Sequence, residues 1–342
     1  MRIGSNPNKE VFQLESSFVH QIIVPVYIPH EKGYFVDAYK ILKICLKSLF
    51  NTIDNRTYIT IINDGSCERV TKYLDLLFFE NKINELVHTH NIGKINAVFK
   101  GLSGNNIKLV TIADADVLFL HDWQSETVNV FSTVPKAGVV GIVPQFKMYE
   151  SNCGNIIFDN LFNNKMQFIP IKNRDALVRF YDSIGWDRNY NQDYLKFGLG
   201  LKYDNFKCFI GSGHFVATYK KDIFEEIFTY IGGKKAAGIG EIYIDKKPLE
   251  KGYFRLTTYD NFAYHMGNIF EDWMIVPSLN EASIDFSTIN FRKRKQVSFL
   301  NYFLKNRLFV KALSVQWINI FFLKWKKLPK SMIKNFNSTV PK

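Results

Sequence analysis

Cysteine is scarce: Cys45, Cys67, Cys153 and Cys208 are the only four in 342 residues, and no two form a CxxC pair. That spacing excludes a disulfide framework and a zinc ribbon, and isolated thiols read as buried groups of a reducing compartment. No run of about 18 apolar residues exists, so a simple spanning helix is not expected. The N-terminal segment carries Lys9, Glu10 and Glu15 and has no apolar core, so no secretory signal is expected and the chain reads as cytoplasmic. No GxGxxG follows the first apolar run, which disfavours a nicotinamide-dependent dehydrogenase. Internal repeats and low-complexity segments are also missing.

Acids are missing from one region altogether. Phe286 to Lys342 holds 13 Lys and Arg and no Asp or Glu, which leaves 31 bases against 32 acids in the first 285 residues. The formal charge of +12 therefore belongs to the tail, and the body is nearly neutral. This weakens the reading of a nucleic-acid-coating protein that the pI near 9.3 would invite. The body is large enough for a full core, and its apolar and aromatic content excludes general disorder.

What is present is an alternation of apolar runs and helical periodicity. Gln21–Ile28 reads as a buried parallel strand, and Ala38, Leu42, Cys45, Leu46 and Leu49 recur at helical spacing. Tyr58–Ile62 is a second strand, ending at Asn63-Asp64-Gly65-Ser66. A helix around Val70–Phe79, a short strand near Leu86–His88, a turn and helix over Asn91–Phe99 and a strand over Ile107–Ala113 follow. This order predicts an α/β fold, an open and mostly parallel twisted sheet flanked by helices. Further on, a strand is expected over Ala137–Phe146 and helices over Asn173–Asp182, Asp222–Tyr230 and about Gly240–Lys251. A segment at Gly211–Tyr219, a strand at Tyr253–Thr258 and an aromatic loop at Ser183–Lys207 complete the reading. The chain divides into a lead-in (1–19), two halves of one domain (20–122 and 123–285) and the basic tail (286–342).

In such sheets ligands bind beyond the carboxyl ends of the strands. Three polar elements fall there: Asn63–Ser66, Asn91–Lys94 and Asp114-Ala115-Asp116. Alternate residues share a face as the chain leaves a strand, so both aspartates can point one way. Close carboxylates repel unless a cation joins them, and Mg²⁺ or Mn²⁺ with a diphosphate is the usual solution.

Taken in order, Pro25 in the first strand, Asn63-Asp64-Gly65-Ser66, Asn91-Ile92-Gly93-Lys94 and Asp114-Ala115-Asp116 resemble the successive motifs of family 2 glycosyltransferases with the GT-A fold, of the bacterial surface-polysaccharide type. The resemblance covers roughly residues 20–270. It implies a nucleotide-sugar-binding half at 20–122 and an acceptor-binding half at 123–285. Pro25 and Tyr27 would lie beside the base, and Asn63 and Asp64 would contact the base or ribose. Lys94 would lie near the base or phosphates, and Asp114 and Asp116 at the ribose and metal. His265, in Tyr264-His-Met-Gly267, resembles the position of a further metal ligand; an imidazole suits Mn²⁺ better than Mg²⁺. In the family the base belongs to an acidic pair that opens a helix before a Gly-aromatic pair. Gly252-Tyr253 matches the latter, and Glu241, 11 residues earlier, takes the base role with Asp245 in reserve. Trp186 and Asp187 are candidate acceptor contacts, because Trp can stack on a sugar face.

The function implied is metal-dependent, inverting transfer of a sugar from a nucleoside diphosphate sugar, UDP first, to a carbohydrate or lipid-linked glycan in polysaccharide biosynthesis. A retaining transferase or a sugar nucleotidyltransferase fits the same fold, and a nucleic-acid-binding protein using the tail is the reading from another class. In the tail, Phe, Leu and Trp recur at three and four with Lys and Arg between them. That pattern suits an amphipathic helix over 291–334 lying on an anionic membrane surface at the inner face of the cell membrane. Packing on the body or a second subunit is the competing expectation for it.

Overall fold

The computed structural model describes residues 16–225, 241–275 and 283–336. Four strands form the first block: β1 (His20–Val26), β2 (Thr57–Asn63), β3 (Glu85–His88) and β4 (Leu109–Ala113). They pair in parallel, as the continuous apolar runs predict, and their order across the sheet is β3-β2-β1-β4. The connecting helices are α1 (Ala38–Phe50), α2 (Glu68–Phe79) and α3 (Lys94–Leu102). Each buries one stripe: in α1 it is Ile41, Leu42, Cys45, Leu46 and Leu49, the spacing of a helix with one face on a sheet. In α3, Gly101 lets the helix approach closely, since a Cβ there would lie 2.9 Å from Ile23 Cγ2.

The second half extends the same sheet. It contributes β6 (Ala137–Gly141), β7 (Met166–Pro170), β8 (Phe197–Lys202), β9 (Lys207–Ile210), β10 (Val216–Lys220) and β11 (Phe254–Thr258). The full order is β3-β2-β1-β4-β10-β6-β11-β9-β8-β7. Following the pairings, β1–β4, β6, β8 and β11 run one way, and β7, β9 and β10 run against them. A separate two-stranded antiparallel sheet joins β5 (Val117–Phe119) to β12 (Ala263–His265). Helices α4 (Trp123–Thr133), α5 (Gly154–Asp159) and α6 (Arg174–Ser183) lie between strands of this half. The α6 start was legible: Asn173 caps it by accepting the Ala176 N–H.

Two sequence expectations change. The Ser183–Lys207 segment is not a continuous loop, because β8 occupies Phe197–Lys202. Its glycines hide the strand from a propensity reading and are required by packing. A Cβ at Gly200 would lie 2.5 Å from the Cys208 carbonyl, and one at Gly198 2.8 Å from the Phe209 ring. Tyr190 and Tyr194 from the same segment are core residues, 3% and 2% exposed. The helices expected at Asp222–Tyr230 and Gly240–Lys251 are seen only where residues are described. A 3-10 turn spans Lys221–Phe224, and a π-turn at Glu241–Lys246 leads into an α-turn at Lys247–Glu250.

The tail is helical and packed. Phe286, Ile289, Phe322, Leu323, Leu328, Ile333 and Phe336 are buried in the same core cluster as β1, β4 and β7. The carbonyl of Lys326 accepts the Phe168 N–H of the edge strand β7 at 2.7 Å. A polar core under β1 ties the halves together: His20 Nε2 meets Thr111 Oγ1 at 2.7 Å and His20 Nδ1 meets Gln124 Nε2 at 2.6 Å.

Candidate active site

The ladder between β1 and β4 ends at the Ile23–Ile112 pair, whereas β1 continues beside β2 to the Val26–Asn63 pair. Pro25 carries no N–H to extend the first ladder. Strand order also reverses here, so a crevice opens at the carboxyl ends of β1 and β4. It is a cavity of about 380 Å³ whose walls include Pro25, Tyr27, Asp64, Lys94, Asp114 and Asp116. Six of the residues singled out from the sequence therefore meet in one place.

Asp64 holds the wall that carries Lys94. Its Oδ1 accepts the Thr89 hydroxyl at 2.8 Å and the Ile92 N–H at 2.7 Å, and its Oδ2 accepts the Gly93 N–H at 2.9 Å. A carboxylate has about four acceptor directions, so three of those of Asp64 are taken by this loop. Gly65 (φ +85°) and Gly93 (φ +86°) sit in the left-handed region, and a Cβ at Gly65 would lie 3.0 Å from the Asn91 nitrogen. Asn63, expected beside Asp64 at the nucleotide, is turned away. Its Nδ2 donates to Thr71 and meets His88 Nδ1, and its Oδ1 accepts the Ser66 N–H. Alternation along β2 sends neighbouring side chains to opposite faces, which is why the pair splits.

The acidic pair lies opposite. Lys94 Nζ forms an ion pair with Asp114 Oδ1. Asp116 Oδ2 lies 3.4 Å from His265 Nε2. Asp116 Oδ1 is buried and has no hydrogen-bond partner. Burial pushes the Asp116 carboxyl above the usual carboxylate range; His265 opposes that, Asp114 adds to it, and Lys94 opposes it. A bare buried oxygen beside a second acid and an imidazole is a donor set that a Mg²⁺ or Mn²⁺ ion suits. Among the described residues no three His, Cys, Asp or Glu side chains gather as a self-sufficient cage.

His265 reaches the acids through the small sheet. The β5–β12 register sets His265 against Val117, and the Met266 N–H donates to the Asp116 carbonyl at 2.9 Å. Ser183 Oγ, at the end of α6, is 3.0 Å from His265 Nδ1 and fixes the ring on its other side. Phe215 packs edge-on against the same ring, 5.4 Å between centroids.

The base candidates separate. Asp245 is 7% exposed and forms an ion pair with Arg255 Nη1 at 2.7 Å, and the Asp245 carbonyl accepts from the same guanidinium nitrogen. Its second oxygen lies 3.6 Å from His214. The Glu241 side chain lies outside the described residues. Trp186 packs on Tyr181, 4.9 Å between ring centroids, in the loop that starts at Ser183. Asp187 closes an exposed turn by accepting the Asn189 N–H at 3.1 Å. Neither lines the cavity.

Several cavity residues were not anticipated: Tyr34 and Phe35 from the β1–α1 loop, and Gly267 and Asn268 after β12. Tyr34 is 71% exposed, and Asn268 Nδ2 donates to its carbonyl at 3.2 Å. An aromatic pair following Gly33 in a polar loop was the available signal. Ser183 had none, since its role exists only through β12.

Residues 22–228 match the family model described as glycosyl transferase family 2. No curated protein matches the chain. Similar solved structures include a mannosyltransferase, PcManGT from Pyrobaculum calidifontis, in complex with GDP-Man and Mn²⁺. It is 15% identical with a TM-score of 0.45, over 90% of this chain and 72% of that one. Another is S. aureus TarS 1-349 with UDP, at 12% identity and TM-score 0.39, over 72% and 60% of the two chains. A third is GalNAc-T7 with UDP, GalNAc and Mn²⁺, at 12% identity and TM-score 0.43, over 73% and 44%. The chain thus spans less than two thirds of each of the last two.

Proposed function

The chain belongs to glycosyl transferase family 2 and is a glycosyltransferase, and on that premise we propose that it moves a sugar, with inversion, from a nucleoside diphosphate sugar to a carbohydrate or lipid-linked glycan. UDP is the first choice of nucleotide. One observation carries this reading: Lys94, Asp114 and Asp116 share a single rim cavity with Tyr27, Tyr34 and Phe35. The aromatic wall suits a base, and the lysine and paired acids suit a diphosphate with its counter-ion.

Tyr27 and Tyr34 give the base an apolar face to lie on, and Pro25 shapes the slot beside it. Lys94 binds a phosphate oxygen in exchange for its partner Asp114. Asp116, with Asp114 and His265, would hold a Mn²⁺ or Mg²⁺ ion. That ion, when bound, neutralises charge that builds on the departing diphosphate. Ser183 orients His265, and Asp64 keeps the loop that presents Lys94 in place. Glu241 is our choice for the group that takes the acceptor hydroxyl's proton as its oxygen attacks the anomeric carbon. Its reserve, Asp245, is committed to Arg255, which supports that order of preference.

A thermal-shift screen of the full chain against UDP-, GDP-, CMP- and dTDP-sugars with Mn²⁺ tests the donor. Stabilisation by one nucleotide family, abolished by EDTA, is expected. Stabilisation by none of them would sink the proposal. The anomeric configuration of the product by NMR then separates inversion from retention, and pyrophosphate release from an NTP and a sugar 1-phosphate would identify a nucleotidyltransferase instead.

A further inference from the structure

The two halves of the tail's residues behave differently. One set is in the core, as described above. The other stands in solvent on two helices, Phe299–Leu313 and Gln316–Trp325, which meet at a 98° bend. On the first, Phe299 is 78% exposed, with Leu300 and Phe303 beside it; on the second, Trp317 is 72% exposed, with Phe321 and Trp325 beside it. The spacings 299, 300, 303 and 317, 321, 325 keep each set on one helical stripe. The body adds to the second stripe, because Phe162, 85% exposed, packs against Trp325 with 5.5 Å between ring centroids. Large aromatic side chains clustered in solvent on a folded protein mark a surface that is covered in use.

Charge identifies what covers it. Arg307, Lys311 and Lys324 are exposed on the same two helices, Lys327 is exposed in the turn just after the second, and no acid occurs anywhere in 286–342. A second copy of this surface would set cations against cations, which opposes association. A surface that is both apolar and anionic satisfies both features at once, and that is the chemistry of a bilayer rich in acidic headgroups. No single helix among the described residues is long and apolar enough to cross a membrane, and the bend breaks the only pair that has the length. The contacts that hold the helices from behind fix them to the body. Phe322 and Leu323 are buried, Lys305 pairs with Asp159 at 2.5 Å, and the Asn155 N–H donates to Asn306 Oδ1 at 3.0 Å.

We propose that the exposed face of Phe299–Trp325 is a built membrane-docking surface that lies on anionic lipid, its aromatic residues in the headgroup layer and its cations among the phosphates, with the folded enzyme fixed rigidly to it. The proposal does not depend on the donor or the reaction.

The test is flotation of the full chain with phosphatidylcholine vesicles and with vesicles of equal parts phosphatidylcholine and phosphatidylglycerol. Binding to the mixed vesicles, with a blue shift of tryptophan fluorescence, is expected, and little binding to the neutral ones. Trp317→Ser with Phe321→Ser should lower partitioning by at least about tenfold, and so should Lys324→Glu with Lys327→Glu, since each cation near an anionic surface is worth about fivefold. Thermal melts matching the parent protein keep these losses from being read as unfolding; should either pair melt lower, Trp317→Ser and Lys324→Glu alone serve in its place. Equal binding to both vesicle types, or none to either, would overturn the proposal. So would a concentration-dependent dimer in sedimentation that Trp317→Ser abolishes, or tight binding to duplex DNA without binding to vesicles.

Discussion

His265 Nε2 lies 3.4 Å from Asp116 Oδ2, and the contact exists because His265 ends β12 opposite the start of β5, which Asp116 immediately precedes. The Met266 N–H to Asp116 carbonyl bond locks that register. Backbone pairing, and not proximity in sequence, brings an imidazole to the acid pair. On its other nitrogen the ring meets Ser183, so a chain of contacts runs from the end of α6 to the rim of β4.

Asp116→Ala should abolish transfer while leaving the fold intact. Loss of the charge stabilisation that a bound cation supplies, several kcal/mol, corresponds to a fall of at least about a hundredfold to a thousandfold in kcat. Turnover of that variant at the parent rate with EDTA present would rule out the role given to Asp116. Titration of Mn²⁺ in the presence of nucleotide, followed by electron paramagnetic resonance, reads the same loss without relying on activity.

Ser183→Ala removes the partner of His265 Nδ1 and leaves the acids untouched. A group that orients a metal-binding imidazole is worth about tenfold to a hundredfold in metal affinity. We expect a Mn²⁺ affinity about tenfold weaker, with unchanged thermal stability in the absence of metal. Ser183→Thr, which keeps the hydroxyl, should recover most of it. Equal Mn²⁺ affinity in all three proteins would remove Ser183 from the site.

Stability should fall in mild acid because of His20. Burial lowers its pKa from 6.5 to about 3, with the Asp54 charge opposing. Between those two values the unfolded chain binds a proton that the folded one refuses, so stability is full above pH 6.5 and drops as pH falls toward 3. The slope is about 1.4 kcal/mol per pH unit, or about 2 kcal/mol between pH 6.5 and 5. Urea melts of the parent and of His20→Gln check this; the variant should show the shallower pH dependence, whatever its absolute stability.

The tail helices should divide by face. Leu323 is fully buried, and Leu323→Ala should cost about 2–5 kcal/mol in a urea melt. Trp317 is exposed, and Trp317→Ser should stay within about 0.5 kcal/mol. Removing everything from about Phe291 onward, which a separable tail would tolerate, should instead leave an aggregating protein, because it strips Phe322, Leu323 and Phe336 from the core. Similar costs for the two point changes would mean the helices do not pack as described.

The first half of the fold was legible because its signals are local. Continuous apolar runs marked β1, β2 and β4, and Asp64-Gly65 and Gly93-Lys94 marked the turns beyond them. The β8 strand was not legible, since Gly198 and Gly200 are there to make room for β9 and weaken the strand pattern in doing so. Asn63 and Asp64 look equivalent in sequence, and only their positions at the end of β2 send one to His88 and the other to the cavity wall. The tail was half legible: its amphipathic spacing is plain, but a helical stripe looks the same whether it meets protein or lipid.

The sequence by itself determined the alternation of strands and helices in the first half, the rim position of Asp64, Lys94, Asp114 and Asp116, and the confinement of excess positive charge to 286–342. Each follows from neighbours within a few residues, where backbone geometry and charge act directly. The tertiary structure alone decided that His265 meets Asp116 and Ser183 meets His265, that Asp245 is held by Arg255, and which face of the tail is in the core. Those outcomes depend on long-range pairing between β5 and β12 and on packing between segments far apart in the chain, and no local preference encodes them.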